Sequence, residues 1–249
     1  MELIRKIRGR IGIGNIKPTK DDIWLVSYPK SGNTWIRLLL ANSLFGNPDI
    51  NNLIELQKYV PDIHFKNCGI KPLSIGSRRI IKSHYQYNSK YGKIIYVVRD
   101  PFNCAWSYYK FLKEWKNIED TFEDFIVKFK KGDMPYGSWS DHVNSWVKNK
   151  SDDELLLIKY EQLLSETEDN LCKMIDYIGF NCNSKSIESS IKKASPEIVA
   201  KITNDRVFFG NKVPTFVNSP FRKDNDSKDK LRVKYEEFFE DMNMLYHNL

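Results

Sequence analysis

Four short apolar runs restrict what this chain can fold into: "IWLVS" at 23–27, "RIIK" at 79–82, "KIIYVV" at 93–98 and "LLLIK" at 155–159. Each is apolar at consecutive positions, as a strand covered on both faces requires. Longer amphipathic stretches separate them, so the pattern predicts a central parallel sheet with helices on either side, a three-layer α/β/α fold. Helices are predicted over 34–45, ended by Gly46 and Pro48; over 101–115, where Asp100 can cap and Pro101 takes the first turn; over 138–149; over about 165–178, stopping at Gly179; and over about 227–247. Stretches 47–78 and 203–226 show no clear period and exceed the usual connection length, which marks them as functional or lid-like loops. A length of 249 residues fits one α/β domain spanning 1–249.

Composition narrows the function classes. The chain is 41% hydrophobic and 13% aromatic, enough apolar surface for a core. No apolar run approaches the roughly 18 residues of a membrane span, and "MELIRKIRGRIG" is basic where a signal peptide would be apolar, so a cytoplasmic protein without stable membrane insertion is expected. Leu3, Ile7 and Ile11 among arginines could form a surface helix, but Gly9, Gly12 and Gly14 oppose it. Cys68, Cys104, Cys172 and Cys182 form no C-x-x-C pair, which favours four buried thiols over a disulfide framework or a metal site. The net charge of +7 calls for an anionic partner. Its lysines and arginines are interspersed with acidic residues and no basic stripe carries aromatics, which points away from nucleic acid and towards a small polyanion.

Chemistry-bearing residues gather at the strand ends. Lys30 follows the first run, Lys82 and His84 close the second, Arg99 ends the third and Tyr160 follows the fourth. In an open parallel sheet those positions converge, because ligands bind outside the carboxyl ends of the strands. Between the first run and its helix, "SYPKSGNTW" supplies Gly32, the hydroxyls of Ser31 and Thr34, Lys30 and a helix start, a set suited to phosphate; such a turn is also ordinary structure. It is not the nucleoside-triphosphate loop G-x-x-x-x-G-K-[ST], since the lysine precedes the glycine. Arg99 also stands before Asp100 where a metal-binding Asp would end the strand, which argues against magnesium-dependent phosphoryl transfer.

Taken together, these stretches resemble the cytosolic-type sulfotransferases, which have a P-loop-like fold and move a sulfonate from 3′-phosphoadenosine 5′-phosphosulfate (PAPS) to a hydroxyl or amine. "YPKSGNTW" resembles the family's Y-P-K-S-G-T-T-W, with Asn33 for Thr; "IIYVVRDPFNCAWSYYKF" resembles its 3′-phosphate segment, with Arg99 and Ser107 at the family interval; "IIKSH" resembles its Lys-[Thr/Ser]-His. "GSWSDHVNSW" and "LLLIKYEQLL" match further. The resemblance implies that His84 is the catalytic base, that Lys30 and Lys82 hold the sulfonate, and that no metal is needed. It further implies that Ser31, Gly32, Asn33 and Thr34 cradle the 5′-phosphate, that Trp35 stacks on adenine with Tyr160 nearby, and that Arg99, Ser107, Arg222 and Lys223 bind the 3′-phosphate.

The C-terminal third departs from the family pattern. In "SPFRKDNDSKDKL" Asp224 stands for a glycine and the Gly-Asp-Trp is missing, and Pro196 replaces a phenylalanine that contacts adenine. "KDKLRVKYEE" keeps Lys228, Val233 and Glu237 of the dimerisation pattern but has Arg232 for threonine, which leaves a homodimer possible and weakens the case for it. His64, His142 and His247 are expected to be structural. The acceptor is expected to be a small molecule with a hydroxyl or amine, its pocket drawing on some of Trp106, Tyr108, Tyr109, Phe111, Trp115, Phe208, Phe209 and Phe216, more of which are core than pocket. An ATP- and magnesium-dependent kinase and a non-catalytic nucleotide-binding protein remain as alternatives.

Overall fold

The computed structural model describes residues 16–64, 70–151, 153–203 and 226–249. The apolar runs form β1 (Ile23–Ser27), β2 (Ile80–Ser83), β3 (Ile94–Val98) and β4 (Leu155–Lys159), in the order β2-β1-β3-β4 with every pairing parallel. Leu25 lies beside Lys82, Val26 beside Tyr96 and Val98 beside Lys159, so the carboxyl ends of the strands line one rim.

Alternate strand residues enter opposite layers. Trp24, Val26, Ile94, Tyr96 and Val98 share one core with Phe102, Tyr108, Phe125, Trp139, Trp146 and Phe239. Ile23, Leu25, Ile95, Val97 and Ile158 share the other with Ile36, Leu39, Leu171, Met174 and Ile175. Burying each large apolar side chain is worth about 1.5–3 kcal/mol, so two filled faces explain why these runs do not alternate with polar residues. This is the predicted α/β/α layering.

The helices are α1 (Asn33–Leu44), α2 (Leu53–Leu56), α3 (Pro101–Lys116), α4 (Phe122–Lys131), α5 (Trp139–Val147), α6 (Tyr160–Ser165), α7 (Thr167–Ile178), α8 (Ser184–Lys192), α9 (Pro196–Thr203), α10 (Asp226–Lys234) and α11 (Glu240–His247), with a 3-10 turn at Glu237–Phe239. The helices predicted at 34–45, 101–115 and 138–149 correspond to α1, α3 and α5. As the sequence requires, the Asp100 carboxylate accepts from the Asn103 amide at 2.7 Å and Pro101 opens α3.

Several expectations are corrected. The helix expected at about 165–178 is α7, stopping at Gly179 as expected but starting two residues later, because Glu166 leaves helical geometry at φ −129° and ψ 55°. The long helix at 227–247 is broken, with Phe239 turned into the core by the 3-10 turn between α10 and α11. No helix was predicted at 122–131, although Thr121 and Asp124 form a capping box and Phe122, Phe125, Ile126 and Phe129 make one buried face. Helices α8 and α9 are likewise additional, and α2 interrupts the loop expected at 47–78. Cys172 and Cys182 form a disulfide in place of two of the four thiols; Cys104 is free and buried. Cys68, Phe208, Phe209, Phe216, Arg222, Lys223, Asp224 and the basic segment before residue 16 lie outside the described residues.

Candidate active site

The loop from β1 to α1 is shaped by two residues in the left-handed region, Lys30 at φ 73° and Gly32 at φ 88°. Gly32 is required twice over: its conformation disfavours a side chain, and a Cβ there would run into the ring of Tyr160. Gly32 also sits at the N-cap of the 12-residue α1 and supplies no side-chain cap. The first-turn N–H groups and the positive end of the helix therefore face the loop. Inside it, the Asn33 side-chain amide donates to Ser27 Oγ at 2.7 Å, and Ser27 Oγ donates to the Tyr28 carbonyl at 2.8 Å. Thr34 is partly exposed on the first turn of α1, while Ser31 is buried.

Two carbonyls of this loop gather the neighbouring strands. Arg99, just past β3, donates through Nη1 to the Lys30 carbonyl at 2.8 Å, and its guanidinium lies 4.6 Å from the centre of the Tyr160 ring. His84, just past β2, makes a 2.7 Å bond from Nδ1 to the Ser27 carbonyl. A carbonyl can only accept, so Nδ1 carries the proton and Nε2 keeps its lone pair. Lys30, His84 and Arg99 thus meet around one loop, as the sequence predicts.

The electrostatics follow from burial and charge. Lys30 is pushed down to about 8, first by burial and then by Arg99, and its Nζ lies 4.5 Å from the centre of the Phe111 ring. Lys82 is pushed down to about 8 by burial, against the pull of Asp62, whose Oδ2 is 2.8 Å from Lys82 Nζ. His84 is held well below the ordinary imidazole value by burial and then by Lys82 and His64. Around Arg99 the carboxylates are already engaged. Asp100 pairs with Arg232 at 2.7 Å, and Glu161 accepts from Tyr246 Oη at 2.7 Å. Nε of Arg99 and the hydroxyl of Tyr160 are buried without a hydrogen-bond partner among the described residues.

The structure therefore brings together Lys30, Ser31, Gly32, Asn33, Thr34, Lys82, His84, Arg99 and Tyr160. Trp35 is only 4% exposed and packs its edge against Tyr160 at 6.1 Å between centroids, which makes it a wall of the core as well as of the site. Ser107 lies half-buried on α3. His142 has the structural setting expected: buried, it donates from Nε2 to the His84 carbonyl at 3.0 Å and accepts from Tyr96 Oη at 2.8 Å. His64 does not. Its ring stacks beside that of His84 at 5.5 Å, and its Nε2 accepts the His84 backbone N–H at 2.7 Å. Asp62 and His64 are the neighbours of Lys82 and His84 that sequence reasoning missed. They lie in "VPDIH", an aperiodic stretch with no motif, and the only available signal was that a buried Lys82 needs an anion.

Residues 20–243 match the family model of the sulfotransferase domain. The chain belongs to the PAPS-dependent sulfotransferase family. Sulfotransferase 1E1 of Bos taurus is 28% identical over 226 residues, which cover 84% of this chain and 76% of that protein. The structure of the mouse sulfotransferase SULT7A1 complexed with PAP, 25% identical, superposes with a TM-score of 0.62 over 96% of this chain and 88% of the other. A retinol dehydratase complexed with retinol and PAP, 17% identical, shares the fold with a TM-score of 0.65 over 95% of this chain and 85% of that one. In this sulfotransferase the matched region carries every described site residue, from Lys30 to Tyr160.

Proposed function

We propose that this sulfotransferase uses His84 as a general base to activate a hydroxyl or amine of a small-molecule acceptor, within one domain and without a metal. The observation that carries the reading is the bond from His84 Nδ1 to the Ser27 carbonyl, which leaves Nε2 unprotonated and able to accept a proton. The residues present fit PAPS. The first turn of α1 lacks a side-chain cap, Arg99 Nε and Tyr160 Oη have unused hydrogen-bonding capacity, and the absence of a side chain at Gly32 lets the loop backbone approach the Tyr160 ring. When bound, PAPS supplies the activated sulfonate.

Ser31, Gly32, Asn33 and Thr34 hold the 5′-phosphate through backbone N–H groups and hydroxyls. Arg99 and Ser107 hold the 3′-phosphate, with Tyr160 and Trp35 beside the adenine. Lys30 and Lys82 present ammonium groups to the sulfonate oxygens and to charge building on the bridging oxygen. A sulfonate carries less charge than a phosphoryl group, so two lysines can do what a divalent ion does in a kinase. His84 stays neutral at pH 7 because its pKa lies well below the ordinary value, and so it can accept the acceptor's proton. We place the enzyme in the cytoplasm, acting on no nucleic acid.

Thermal stabilisation separates the readings, since a ligand that binds only the folded state raises its stability by mass action. The adenosine 3′,5′-bisphosphate product PAP should raise the melting temperature without magnesium. Stabilisation by Mg-ATP alone would select a kinase. Stabilisation by PAP with no sulfonate transfer across a broad panel of hydroxyl and amine acceptors would select a non-catalytic binding protein.

A further inference from the structure

Residues 61–63 run along the outer edge of β2. The Lys82 amide donates to the Pro61 carbonyl at 2.7 Å, and the Ile63 amide donates to the Lys82 carbonyl at 3.0 Å. Between those two bonds Asp62 is pinned again, its amide donating to Gln57 Oε1 at 2.8 Å. Its two carboxylate oxygens serve different partners. Oδ2 accepts from Lys82 Nζ at 2.8 Å, and Oδ1 accepts from the His64 amide at 2.9 Å. His64 Nε2 in turn accepts the His84 amide at 2.7 Å, and His64 Nδ1 lies 3.4 Å from Tyr136 Oη. An unbroken chain of hydrogen bonds therefore joins Lys82 to the backbone of His84 through Asp62 and His64.

We infer that Asp62 is a positioning residue for the transfer reaction: it holds Lys82 in place as an ammonium and, through His64, fixes the backbone that carries His84. This rests on the reading of Lys82 and His84 as the reacting groups. Those groups need opposite states in one buried site, a charged lysine beside a neutral imidazole. Burial discharges both. A carboxylate in direct contact with Lys82 opposes that loss where it matters, while His64, itself pushed down to about 3 by burial and Lys82, stands between the carboxylate and His84 as a neutral ring. The charged and titratable groups facing Asp62 are Lys82, His64, Arg37 and His84, with the hydroxyls of Tyr85 and Tyr136 beyond them. Burial raises the pKa of Asp62, but the neighbouring positive charge, Lys82 first, outweighs it and keeps the carboxylate ionised well below the usual range.

The test is a pH titration of ligand-free enzyme labelled with 13Cε-lysine, wild type against Asp62→Asn, together with the pH profile of kcat/KM. Removing the anion should move the Lys82 titration down by about one pH unit or more, a roughly tenfold loss of the ammonium fraction per unit. The alkaline limb of kcat/KM should move with it, below the limb set by Lys30. Asp62→Glu should restore both, and PAP affinity should stay within about twofold of wild type, since PAP lacks the sulfonate. An unshifted Lys82 titration in folded Asp62→Asn, or an activity loss equal at every pH, overturns the inference. If the amide variant does not fold, Asp62→Ser is read the same way, with added formate expected to return the titration and failure to do so counting against the role. Should Lys82→Met and His84→Ala turn over normally, the catalytic reading has failed and this role with it. If both are inactive while Asp62→Asn titrates like wild type, the inference alone has failed.

Discussion

The two flanks of β1 are balanced in opposite ways. On the β2 flank, charge and hydrogen bonding are settled within the protein: Lys82 has Asp62, the His84 amide has His64, and the His84 ring has the Ser27 carbonyl. On the β3 flank hydrogen bonding is left open: the nearby Asp100 and Glu161 are engaged by Arg232 and Tyr246, and Arg99 Nε and Tyr160 Oη are buried without partners among the described residues. A buried donor left unsatisfied costs about 1–3 kcal/mol, so on the proposed reading an anion would complete the second flank and the first would act on it. Binding and chemistry should therefore be separable by mutation.

The sharpest separation is expected from His84→Ala. Turnover should fall by roughly 10²–10⁴-fold, the usual worth of a general base, while PAP affinity measured calorimetrically stays near wild type. Arg99→Ala should do the reverse, weakening PAP by about 10- to 100-fold through loss of a charge-assisted hydrogen bond, with kcat at saturating PAPS much less affected. Equal damage to both parameters in either variant would break the distinction between flanks.

Gly32→Ala strikes the loop the flanks share. Left-handed geometry costs a side chain about 1–2 kcal/mol, and the Tyr160 ring must also move, so both the melting temperature and PAP affinity should drop. The pH profile of kcat/KM offers a gentler test. His84 must be neutral, and its pKa is depressed, so activity should hold as pH falls through 6.5 and fail only below it. Lys30 and Lys82 must be charged, so activity should decline as pH rises through about 8. A descending limb centred near 6.5 would show that His84 is not the burial-depressed base. Smallest of all, reduction of Cys172–Cys182, which joins α7 to the loop beyond it, should lower the unfolding midpoint and leave both flanks unchanged.

How much of this the sequence carries depends on whether the information is local. The strands, α1, α3 and the loop at 27–34 are legible because both-face burial, the Asp100–Pro101 start and the Lys30 to Thr34 cluster each occupy a few consecutive residues. The placing of Lys82, His84 and Arg99 followed from one topological rule about strand ends. Asp62 and His64 escaped because their meaning lies in pairing with residues 20 positions away, across a sheet edge that no periodicity announces. Helix α4 is a different case, since its capping box and phenylalanine face were there to be read.

Strand β1 is made first but sits between β2 and β3, and its loop receives His84 across 57 positions and Arg99 across 69. Nothing nearby in the chain can stand in for those contacts, so the loop gains its shape only after two distant closures, each with an entropic toll. The loop after β1 therefore waits for its walls until β2 and β3 have followed it, and its folding should be cooperative with closure of the sheet.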